Sequence, residues 1–255
     1  MKSKMTNRTK SGRLVFVALI TLFVITGGIA VYNLLKTDME YTAADNEYEE
    51  LRRFAPVLID SAPGSGSAVD EPENPQTEPP EEAAALPEVM PDLSDINPDY
   101  IGWIRIENTN IDYPVVRGTN NEKYLNTTFK GERNPSGTIF MDYLCTEGFD
   151  GFAILHGHNM RNGSMFAGLH SFRDDNEQYS DIMIFKPDGE LLIYRVFDVV
   201  ITDNRDVVYS LPEMDSEAVD EFFAERGIYR SEGILVLSTC TEGPRDERLL
   251  VFAKR

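Results

Sequence analysis

The chemistry in this chain is concentrated in a handful of side chains. The stretch GILVLSTCTEG, residues 233–243, is a β-branched apolar run that stops at Cys240, one of only two cysteines. A strand that breaks into polar residues and glycine presents its last side chains at the rim of a fold. Cys240 there is a nucleophile, one half of a disulfide with Cys145, or a small core filler. A free thiol with a pKa near about 8.5 is only a few per cent thiolate at neutral pH, and a neighbouring histidine or arginine changes that.

The three histidines are His156, His158 and His170. In ILHGHNM, His156 and His158 flank Gly157 at the end of an apolar strand, where the glycine frees the backbone to aim the second ring out of the sheet. His170 closes SMFAGLH and reads as structural. Two histidines and a cysteine lack the fourth ligand, at recognisable spacing, that zinc would need, so neither a metal nor a cofactor is expected. Arg248 stands eight residues after Cys240, at the head of RLLVFAK. If the loop TEGPRDE joins two neighbouring strands, Arg248 returns beside Cys240. A guanidinium stays protonated, so it serves as a donor to an oxyanion or a substrate carbonyl and not as a base. Arg245 is the competing arginine, but it falls in mid-loop.

The elements that must position these groups begin far upstream. Residues 1–13 carry Lys2, Lys4, Arg8, Lys10 and Arg13 and no acid, and residues 14–35, LVFVALITLFVITGGIAVYNLL, carry no charge. At about 1.5 Å per residue this run spans roughly 33 Å, enough for a bilayer's hydrocarbon core. No good small-x-small exit follows it, which favours an uncleaved anchor over a signal peptide. The basic flank predicts a cytoplasmic N-terminus with everything after Lys36 outside the cell. The whole chain carries −19, and the flank contributes +5 of that, so the remainder carries −24. Such a charge disfavours binding to nucleic acid or to anionic headgroups.

Residues 36–60 follow as a juxtamembrane helix. Thr37 and Glu40 suggest a capping box, and Ala44, Tyr48, Leu51 and Ala55 fall at helical spacing. Residues 61–92 are rich in proline, acid and small residues and lack any lysine or arginine, which reads as a tether. It contains Asn74-Pro75-Gln76-Thr77. Residues 93–255 have an all-β texture. Candidate strands lie at 100–106, 111–116, 137–142, 151–156, 182–186, 190–202 (bent into two), 233–239 and 248–254. Their spacing predicts a closed barrel or a sandwich. One helix interrupts them, capped by Asp215 or Ser216, striped by Val219, Phe222 and Phe223, and ended by Gly227.

Taken together, LSTC with an arginine heading the next strand and an upstream GH resembles the sortases, the membrane-anchored cysteine transpeptidases of Gram-positive bacteria. The resemblance continues through NPDYIGWIRIENTNIDYPVV, KYLNTTF, SGTIFMDY and GHNMRNGSMFAGLHSF, covering nearly all of residues 96–255. With the helix before the cysteine-bearing strand, class B members are the most similar. The resemblance implies an all-β closed barrel of about eight strands behind a single N-terminal transmembrane helix. It implies Cys240 as nucleophile, His158 as general acid/base and Arg248 as oxyanion stabiliser, with His156 not catalytic and no disulfide. Implied partners are surface proteins bearing a C-terminal sorting signal of the Asn-Pro-Gln-Thr type, and an amine of the peptidoglycan peptide or its lipid-linked precursor. One departure is Val236, where many members have threonine; it implies an altered groove. Two other functions compete: a cell-wall cysteine peptidase of another fold, in which the cysteine would precede the histidine, and a non-catalytic wall-binding barrel.

Overall fold

The computed structural model describes residues 5–57, 92–146, 148–173, 181–214, 216–225, 227–228 and 233–255, with only the backbone for 5–13 and Ser216. The tether motif Asn74–Thr77 and the capping candidate Asp215 lie outside the described residues. Two compact units are present, Met1–Asp45 and Asn46–Arg255.

The first unit is the greater part of helix α1, Met5–Leu51. It is long and apolar enough to cross a membrane, and its side chains from Leu14 to Leu35 are exposed. The expected helix start at Thr37 does not occur. Thr37 lies inside α1, and its hydroxyl donates to the Asn33 carbonyl one turn back at 3.0 Å.

The second unit is a closed barrel. Its strands are β1 (Tyr100–Ile106), β2 (Asp112–Val116), β3 (Ile139–Met141), β4 (Phe152–His156), β5 (Ile182–Phe185), β6 (Leu191–Asp203), β7 (Ile234–Cys240) and β8 (Glu247–Lys254). They close in the order β1-β2-β3-β4-β7-β8-β6-β5. Parallel pairing occurs at β2–β3 and β4–β7. The segment expected to bend into two strands is one, β6, whose register against β8 shifts between Val196 and Asp198. That shift is a bulge, which bends a strand without ending it.

A parallel pair needs a long crossover. Between β6 and β7 that crossover carries helix α2, Ser216–Ala224. Val219 and Phe223 of α2 are buried, and the Phe223 ring packs 5.5 Å from that of Phe152 on β4. Gly227, at φ +72°, stops the helix as expected, with its N–H donating to the Ala224 carbonyl.

The last turn of α1 belongs to the barrel unit. Tyr48 and Leu51 are buried there, and Tyr48 meets Tyr113 edge-on at 5.3 Å. The Tyr48 hydroxyl donates to the Gly137 carbonyl at 2.5 Å, and Arg105 donates to the Pro56 carbonyl at 2.8 Å. Residues expected to act as a spacer thus fill part of the barrel's packing. Gly137 is itself constrained: at φ +60° a Cβ would collide with the carbonyl oxygens of Tyr124 and Leu125. Removing one buried hydrogen-bond donor costs about 1–3 kcal/mol. Tyr48→Phe should therefore lower the barrel's unfolding midpoint by roughly 2–10 °C. Gly137→Ala, which adds both left-handed strain and a clash, should lower it further; an unchanged midpoint in calorimetry would contradict this packing.

Candidate active site

Register brings the chemistry together. β4 and β7 run parallel with Ile154 opposite Val236 and His156 opposite Ser238. The ladder continues one step past β4, where the Gly157 N–H donates to the Ser238 carbonyl at 3.1 Å. One residue further, the same offset sets His158 abreast of Cys240. On the other side of β7, Cys240 pairs directly with Arg248 of β8. His158, two residues past the end of β4, thus forms a row with Cys240 of β7 and Arg248 of β8, which are direct cross-strand neighbours. All three line a single cleft of about 510 Å³.

Gly157 allows this through space rather than backbone freedom. Its conformation is not left-handed, but a Cβ there would come within 2.5 Å of Ile139 Cδ1 and 2.6 Å of the Phe166 ring. The chain can cross the barrel rim at this point only without a side chain.

His158 and Arg248 are held by main-chain oxygens. His158 Nε2 lies 2.7 Å from the Leu125 carbonyl. A carbonyl only accepts, so Nε2 carries a proton and Nδ1 is left to exchange one. The His158 carbonyl in turn accepts from the Phe166 N–H at 2.9 Å. Arg248 Nη1 donates to the Arg245 and Glu247 carbonyls at 3.1 and 2.9 Å. The nearby Glu247 carboxylate instead accepts the Thr241 hydroxyl at 2.5 Å. Among the described residues no carboxylate is ion-paired with Arg248, so its charge remains available to a ligand. Arg245 is exposed, as expected for mid-loop, and contributes only its carbonyl.

His170 has a place that its sequence did not suggest. It sits in a 3-10 segment, Phe166–Arg173, and its Nε2 donates to the Cys240 carbonyl at 3.1 Å. It secures the backbone of the candidate nucleophile without entering the row. Leu125 was invisible to sequence reasoning because a main-chain carbonyl has no residue signature.

Both cysteines are free. Cys240 is half-buried at the cleft, whereas Cys145 is buried and accepts the Ile154 N–H at 3.4 Å. Burial pushes the Cys145 thiol up to about 12, against a weaker lowering from that hydrogen bond. Cys145 is therefore an inert packing thiol, and the disulfide alternative is excluded.

A sortase domain model matches residues 104–255. Sortase B of Listeria monocytogenes is 33% identical over 167 residues, which span 58% of this chain and 65% of the relative. Sortase B of Staphylococcus aureus is 25% identical over 94% of this chain and 95% of its own length. The crystal structure of Clostridium perfringens sortase B superposes with a TM-score of 0.58 at 30% identity, covering 64% of this chain and 96% of that one. The matched region contains the whole row and every strand of the barrel except the start of β1; the chain belongs to the sortase family, alongside its class B members.

Proposed function

We propose that this protein is a membrane-anchored cysteine transpeptidase that cleaves a C-terminal sorting signal after threonine and transfers the acyl group to a cell-wall amine. The observation that carries this reading is the register row that sets His158, Cys240 and Arg248 around one cleft. The Cys240 thiolate attacks the threonine carbonyl, and the tetrahedral oxyanion forms within reach of the Arg248 guanidinium. Collapse of that intermediate expels the downstream amine, which takes a proton from His158 Nδ1 and leaves a thioester on Cys240. The accepting amine, from the peptidoglycan peptide or its lipid-linked precursor, attacks the thioester and releases the thiolate. Water competes at this second step and yields hydrolysis.

The substrates are surface proteins with a signal of the Asn-Pro-Gln-Thr type. The single N-terminal span anchors the enzyme, its basic flank in the cytoplasm and the barrel outside. A thiol reagent that cannot cross membranes should label Cys240 on intact cells, and Cys240→Ala should abolish the labelling. Labelling only after lysis would reverse the orientation.

The reaction is tested with the full-length chain in detergent and a fluorogenic Asn-Pro-Gln-Thr peptide. Cys240→Ala should give no thioester and no cleavage. His158→Ala should slow cleavage by about a hundredfold or more, the usual contribution of a general acid. Arg248→Ala should cost about 3 kcal/mol, again roughly a hundredfold, mostly in kcat. Cleavage by Cys240→Ala at the unaltered rate would overturn the assignment.

A further inference from the structure

A carboxylate–imidazole pair, His156 with Asp142, lines the same cleft as the row. His156 is the last residue of β4 and precedes His158 by two residues. Its Nε2 meets Asp142 Oδ2 at 3.0 Å, and its ring packs between those of Phe140, at 5.1 Å, and Tyr209, stacked at 6.1 Å. Tyr209 is fixed in turn by a 2.7 Å hydrogen bond between its hydroxyl and that of Ser238. Asp142 also accepts from Asn121 Nδ2 at 2.7 Å and from the Leu144 N–H at 3.0 Å. Burial alone would raise the Asp142 pKa, but the hydrogen bonds from His156 and Leu144 prevail and hold it below the usual carboxylate range. An ionised carboxylate only accepts, so His156 Nε2 carries the proton and Nδ1 is the basic nitrogen. The His156 side chain is 19% exposed and that of Asp142 5%, so the imidazole is the group that a ligand in the cleft meets.

Proton bookkeeping in the second half-reaction calls for such a group. An accepting amine arrives as an ammonium and ends as an amide N–H, so two protons must leave its nitrogen. His158, having given its proton to the first leaving amine, has room for one. We propose that the His156–Asp142 pair takes the other and so prepares the accepting amine. His156 Nδ1 removes a proton from the ammonium, and the freed lone pair forms the C–N bond to the thioester carbonyl. His158 Nδ1 takes the second proton as the C–S bond breaks and the Cys240 thiolate departs. The enzyme returns to its starting protonation once His156 releases its proton to water. This rests on the transpeptidase reading above and extends it to the acceptor.

The demand is greatest for a lysine-like amine, with a pKa near about 10.4, of which roughly one in a few thousand molecules is unprotonated at neutral pH. Hydroxylamine is already neutral there and loses only one proton. The test offers full-length protein, in detergent with the sorting peptide, either an Nα-acetyl-lysine amide or hydroxylamine as acceptor. The ratio of transfer to the two is the readout. His156→Phe, which keeps the ring packing, should lower the lysine-to-hydroxylamine ratio by about a hundredfold. Asp142→Asn, which removes the charge behind the imidazole at constant size, should lower it in the same direction. An equal loss for both acceptors would mean that the pair merely supports the cleft and would overturn the proposal. So would a raised KM for the sorting peptide with the ratio unchanged, which would make His156 a contact for the first substrate. Absence of cleavage by the unaltered protein would overturn the transpeptidase reading itself, and this proposal with it.

Discussion

Because side chains alternate along a strand, a one-residue slip between β4 and β7 would turn His158 away from Cys240 and bury its imidazole elsewhere. The arrangement of the cleft depends on that register more than on any single contact. Both strands are apolar on both faces, with Phe152 to Leu155 and Ile234 to Leu237 all buried, so it is the ends of the pair that resist the slip. Phe223 of α2 packs on Phe152 at one end of the pair, and Gly157 fits against Ile139 and Phe166 at the other. A slipped strand would present a side chain where only a glycine fits, and it would strand polar groups in the core.

Above this ladder the functional groups are held by the main chain. Leu125 supplies the acceptor for His158, His170 secures the Cys240 carbonyl, and the loop between β7 and β8 supplies two carbonyls to Arg248. Carbonyl partners fix orientation without adding a countercharge. A carboxylate on Arg248 would compete with the oxyanion for the guanidinium, and Thr241 keeps the one at Glu247 occupied. The second histidine in the cleft has the opposite design. There a carboxylate does back the imidazole, Asp142 on His156 Nε2, which leaves Nδ1 as the nitrogen with a free lone pair.

The chain disclosed its chemistry unevenly. Strand existence was legible because β-branched runs such as ILVLSTC and RLLVFAK end in turn residues, and the nearness of Cys240 to Arg248 followed from a short hairpin. That His158 belongs in the same row was carried by resemblance, since nearly half of the domain separates β4 from β7 and periodicity holds no information about their pairing. The role of Leu125 was illegible because its side chain is irrelevant to it. His156 was set aside because the resemblance gives its position no catalytic role; Asp142 comes from a different strand end, and only the β3–β4 ladder brings the two together. The single strand β6 was misread as two because a bulge and a corner leave similar traces in a local pattern.

The same dependence on distant pairing explains why the end of α1 matters to the site. The Tyr48 hydroxyl bonds the Gly137 carbonyl and also reaches the Thr138 hydroxyl at 3.2 Å. Thr138 donates its N–H to the Tyr124 carbonyl at 3.0 Å, and the next carbonyl along that chain, Leu125, holds His158. Gly137 packs against the carbonyls of Tyr124 and Leu125 with no room for a Cβ between them. Close-packed interiors transmit small displacements rather than absorbing them. Helix residues that composition assigns to a passive spacer therefore lie two hydrogen bonds from the loop that orients the His158 imidazole, and the geometry of the cleft is set partly from the end of α1.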